Sequence, residues 1–147
     1  MESLKPSSWE LYQQTMVTPT TLWSAAKDND LPTLVRLCAE GHQLNLKDHR
    51  GYSPLMLAAY TGNLEAFDYL LGQGADLNSV DLAGNSVLMG ATFKGHHEIV
   101  DRLLAAGADL TLKNNAGLDA RAFAVMFGRA DLVGRLSAND SLSPRGL

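Results

Sequence analysis

The sequence predicts an all-α solenoid of stacked helix-turn-helix units with projecting β-hairpin or turn fingers. Three observations predict it. First, five columns of residues recur every 33 positions in one phase: Gly51, Gly84 and Gly117; Gly62, Gly95 and Gly128; Gly41, Gly74 and Gly107; Ala25, Ala58, Ala91 and Ala124; Leu37, Leu70, Leu103 and Leu136. Second, each period spells a short helix, a turn, a second helix and a hairpin. Third, two such short helices cannot bury their own apolar faces, so only stacking of like units closes a core.

The best-formed period runs from Asp48 to Val80. Ser53 suits a helix N-cap and Pro54 the first turn. Leu55, Ala58 and Ala59 then form a narrow apolar stripe whose small residues let the next helix approach. Gly62 fits a left-handed turn, where a side chain would be strained. Leu64, Phe67, Leu70 and Leu71 make the apolar face of the second helix, which Gly74 ends. The run Ala75-Asp76-Leu77-Asn78 leads to the next turn.

These residues resemble the ankyrin repeat, whose consensus reads roughly D-x-x-G-x-T-P-L-x-x-A-A-x-x-G-x-x-E-x-x-x-x-L-L-x-x-G-A-D-x-N. The second unit matches it at Asp48, Gly51, Ser53, Pro54, Leu55, Ala58, Ala59, Gly62, Glu65, Leu70, Leu71, Gly74, Ala75, Asp76 and Asn78. The third matches at Asp81, Gly84, Leu88, Ala91, Gly95, Glu98, Leu103, Leu104, Gly107, Ala108 and Asp109. The units fall at about 20–47, 48–80, 81–113 and 114–136. The end units depart from the pattern: Asn29 stands in place of the turn glycine, and Asp119-Ala120-Arg121 in place of Thr-Pro-Leu. Two full repeats between two atypical ends suit a minimal self-sufficient stack. Residues 1–19, with Trp9, Tyr12 and Met16 on one apolar face, read as a helical segment that either covers the open end or touches the partner. Residues 137–147, rich in Ser, Pro and Gly, read as a disordered tail.

Composition narrows the function classes. The 147 residues suit one domain, and a net charge of −4 with mixed signs gives no basic footprint for nucleic acid. No apolar run approaches the ~20 residues that span a bilayer. Cys38 is the only cysteine, so no intramolecular disulfide forms. The start lacks a basic-then-apolar secretory signal. Cytoplasm is the default setting, with the bacterial periplasm open if a signal has been removed.

No constellation points to catalysis, a cofactor or a metal. His96 and His97 are neighbours on a helix, about 100° apart, so their rings do not converge on one ion. The resemblance itself accounts for a histidine after the turn glycine. Cys38, beside Leu37 in the second helix of the first unit, reads as a buried packing residue. Asp28 with Asp30, and Glu65 with Asp68, read as solvated charges. Every glycine that could cradle phosphate belongs to the 33-residue period.

The resemblance implies a concave face lined by first helices and finger tips, and hence one folded protein partner for a free monomer. Finger positions are His49, Arg50 and Tyr52, then Leu82 and Asn85, then Asn115 and Leu118. Behind the alanines stand Tyr60, Phe93 and Met126, an apolar ladder with Lys94 beside it. Mid-helix positions are Leu57, Gly90 and Phe123. Gly90 leaves a notch open either to a partner side chain or to Phe123. His49, Arg50 and Lys94 add a positive fringe suited to an acidic partner. The concrete form is an inhibitor or immunity protein that masks a partner enzyme. The alternatives are a passive adaptor, a self-associating structural protein, or a redox role for Cys38.

Overall fold

The computed structural model describes residues 21–141. Eight helices follow in order: α1 (Leu22–Lys27), α2 (Leu31–Ala39), α3 (Pro54–Thr61), α4 (Leu64–Gly72), α5 (Val87–Lys94), α6 (His97–Ala105), α7 (Ala120–Met126) and α8 (Ala130–Ser141). The helical segment expected over residues 1–19 lies outside the described residues. So do residues 142–147 of the expected tail, whereas α8 continues past the expected boundary at 136 to Ser141.

Each unit is a helix pair. The first helices α1, α3, α5 and α7 pack side by side in chain order, and α2, α4 and α6 form a second row behind them. The two rows have different burial. In α3 and α5 every residue of Pro54–Ala59 and Val87–Thr92 is buried, because neighbours cover these helices on all sides. In α4 and α6 one face alone is buried, Ala66, Phe67 and Leu70 in one and Ile99, Val100 and Leu103 in the other. Their outer faces carry charge. Asp68 pairs with Arg102, and Asp101 with Arg135 at 3.5 Å, so an ion-pair ladder runs along the second row.

The helix ends are closed by side-chain caps, at Ser53 as the sequence predicts. Ser53 and Ser86 accept from the amides of Met56 and Met89, each satisfying a donor the helix cannot. Asp119 does the same for Ala122 at 2.9 Å, which is how Asp119-Ala120-Arg121 replaces Thr-Pro-Leu without loss of the cap. Asn29 adopts φ 55°, the left-handed turn that the other units give to glycine. Its side chain also accepts from the Ala66 amide at 3.0 Å, tying the first unit to the second.

The fingers are turns rather than paired strands. Among the described residues the one ladder contact is an isolated bridge between Val80 and Ser86. The reason is local: a side-chain oxygen at the base of each finger takes the amides that a strand would share. Asp48 accepts from Arg50 and Tyr52, Asp81 from Ala83 and Asn85, and Asn114 from Ala116 and Leu118. Neighbouring fingers are stitched by Asn115 N–H to Ala83 O at 2.9 Å and Leu82 N–H to Arg50 O at 3.4 Å. That close approach requires Gly51 (φ +85°), where an added Cβ would stand 2.6 Å from the Leu82 nitrogen.

Candidate functional site

The carboxyl ends of the first helices emerge from the core on the same side in each unit. They place Tyr60, then Phe93 with Lys94, then Met126 with Phe127. The carbonyls at the ends of the first three of these helices are satisfied by the next unit, through three different side chains. Asn63 donates to the Lys27 carbonyl at 2.6 Å, His96 Nε2 to the Tyr60 carbonyl at 3.0 Å, and Arg129 to the Phe93 carbonyl at 3.2 and 2.7 Å. His96 is thus a structural donor with its proton on Nε2. His97 turns instead toward Asp131, 3.6 Å away, so the two rings serve different partners. No group of three or more His, Cys, Asp or Glu that could hold a metal gathers among the described residues.

The candidate positions fall into three environments. Leu57 and Phe123 lie in the core, 7% and 8% exposed, because the neighbouring units close over the middle of each first helix. Gly90 is also buried, and its notch is filled by neither a vacancy nor Phe123. The Tyr60 ring from the preceding unit occupies it, 3.3 Å from where a Gly90 Cβ would stand.

Tyr60 anchors the second environment, a self-packed aromatic column. Its ring meets Tyr52 edge to face at 5.6 Å, and the Arg50 guanidinium lies 4.6 Å over the Tyr52 ring. Arg50 also pairs with Asp48 at 3.2 Å. Burial, followed by the neighbouring Tyr52 and Asp81, pushes the Tyr60 hydroxyl up to about 12. Burial acts on Asp48 in the same direction. The Tyr52 and Arg50 amides and the Arg50 guanidinium outweigh it, holding this carboxyl below the usual range.

The third environment is open. Phe93, Met126 and Phe127 are 38%, 57% and 41% exposed. Phe127 stands edge to face against both Phe93 (4.7 Å) and Phe123 (5.4 Å), so these rings form one cluster. Lys94 is exposed beside it. Phe127 follows Met126 in the sequence without belonging to the ladder column. Its place in the cluster follows from its reach back to Phe93. Along the fingers His49, Arg50, Leu82 and Asn115 are exposed, while Tyr52, Asn85 and Leu118 are half-buried. Asn85 accepts from Asn114 at 2.8 Å and Asn115 donates to the Leu82 carbonyl at 3.2 Å, so both asparagines bind the fingers together.

Cys38 is half-buried rather than buried. Burial raises its thiol, and a hydrogen bond with Tyr69 offsets part of that rise, so the thiolate is scarce at neutral pH. No helix among the described residues is long and apolar enough to cross a membrane.

Residues 22–114, more than half of the chain, match the family described as ankyrin repeats (3 copies). No curated protein matches the chain. Ankyrin repeats generally mediate protein–protein interaction and are typically non-catalytic. The 33-residue period, the capped helix pairs and the stitched turn fingers agree with that match, and the chain belongs to the ankyrin-repeat family.

Proposed function

We propose that this protein holds one folded protein partner against the face made by its first helices and fingers, without catalysing a reaction on it. The observation that carries the reading is the exposure of Phe93, Met126 and Phe127, of which the two rings meet edge to face and the last two are chain neighbours. Core packing accounts for the other aromatic positions of this face, but it leaves these three with apolar area in water. Contiguous apolar area of that kind is characteristic of interaction sites. The fingers support it, since their side-chain and backbone bonds fix the surface before a partner arrives and reduce the entropy lost on binding.

Occupation of a partner enzyme's active site is the specific form we assign to the output: the chain acts as an inhibitor or immunity protein. The free chain is a monomer, and the half-buried, weakly ionised Cys38 suits a reducing compartment such as the cytoplasm.

Capture from native cell extract, comparing wild type with a Phe93→Ala/Met126→Ala variant of unchanged circular dichroism, tests the reading. Loss of a partner with the variant is expected, and that partner's activity then falls when the wild-type chain is added. A partner held equally by both would remove the cluster from the interface. Sedimentation across concentrations checks the monomer.

A further inference from the structure

We propose that the partner surface seated on the Phe93–Met126–Phe127 cluster projects an apolar side chain bordered by carboxylates; this rests on the binding reading above and specifies its chemistry. The centre is apolar, so it favours an aliphatic or aromatic side chain that leaves water on docking. The border decides the charge. Lys94 follows Phe93 directly and is exposed, and no carboxylate pairs with it among the described residues. The Arg129 guanidinium sits on the Phe93 carbonyl, a neutral acceptor, and so keeps its full positive charge beside the same ring.

The acids of this side are held within the chain, and none of them pairs with Lys94 or Arg129 among the described residues. Asp81 accepts the amides of its own finger, Asp119 caps α7, and Asp131 faces His97. On the second row Asp68 and Asp101 are matched to Arg102 and Arg135. A chain of net charge −4 therefore keeps two cations without a carboxylate partner among the described residues, Lys94 and Arg129, next to its exposed aromatic pair. A partner with lysines at that border would meet like charge, whereas carboxylates would find cations without counter-ions.

The probe is a displayed library of a helical-bundle scaffold with one randomised face, selected against the full chain. Binders are then measured on wild type, Met126→Ser and Lys94→Glu, both exposed positions, after circular dichroism has shown each variant folded. Enrichment of Asp and Glu around an apolar residue is expected. Affinity should fall at least tenfold with Met126→Ser and about tenfold with Lys94→Glu, with weakening as salt rises. Binders lost with Met126→Ser but indifferent to Lys94→Glu would leave the cluster as a docking site and overturn its preference for carboxylates. Binders indifferent to Met126→Ser would overturn both the proposed chemistry and the placement of binding on the cluster.

Discussion

Tyr60 and Phe93 occupy the same position in successive units, 33 residues apart, yet one is half-buried against the next unit and the other is 38% exposed. What separates them is the residue that the following unit presents in the middle of its first helix. After Tyr60 comes Gly90, and the tyrosine ring lies in the space that a side chain would fill. After Phe93 comes Phe123, which is itself buried and blocks the equivalent space. Phe93 is left leaning on Phe127 instead. A repeat column thus carries no fixed role: the neighbouring unit decides whether its aromatic serves the stack or a partner.

The largest effect should come from removing that block. Phe123→Gly is expected to lower unfolding free energy by about 3 kcal/mol, through lost burial and a glycine inside α7. Denaturant titration measures it, and a loss under about 1 kcal/mol would mean that Phe123 is not the wedge. The converse change is Gly90→Leu, which restores the residue type of Leu57 and displaces Tyr60. It should cost about 2 kcal/mol from overpacking. In a Tyr60→Ala background the same substitution should be close to neutral, so a double-mutant cycle without coupling would refute the notch.

The two units also differ one residue earlier. Ala59 of the second unit corresponds to Thr92 of the third, whose hydroxyl is buried with no hydrogen-bond partner among the described residues. Thr92→Val keeps the shape and removes an unsatisfied polar atom, so stability should rise by about 1 kcal/mol; thermal unfolding would reveal a contrary shift.

The smallest effect is a titration. Tyr60 ionises at about 12 rather than 10 in the folded chain, because burial favours the neutral phenol. Its raised value adds stability that is fully present below pH 10 and lost as pH rises through 12. Ultraviolet absorbance should show a tyrosine step at about 12 in wild type, moved back toward 10 in Gly90→Leu as the ring is expelled. An unchanged late step would place the slow phenol elsewhere.

The period, the glycine and alanine columns and the helix caps were legible because they are local or strictly repeated. Ser53 bonds an amide three residues on, as its place before Pro54 suggested, and Ser86 and Asp119 make the same contact in their units. The site was legible only in outline. Phe93, Met126 and Lys94 emerge into solvent as their column suggested, but Leu57 and Phe123 belong to the core, and Phe127 joins the cluster from the adjacent column. No pattern within one unit distinguishes these cases, since each depends on a side chain 30 or more residues away.

Similarly, the residue after each turn glycine varies from unit to unit, and the family resemblance accounts only for the histidine. Asn63, His96 and Arg129 share neither charge nor shape. Their common role, satisfying the last carbonyls of the preceding first helix, exists only once the units are stacked.

The sequence by itself determined the architecture: a 33-residue repeat of short amphipathic helix pairs has no way to bury its apolar faces except by stacking. Only the tertiary structure decided which aromatics remain available. The physical reason is close packing, in which a glycine at one position admits the ring of the unit before it and a phenylalanine at the equivalent position turns that ring out into water.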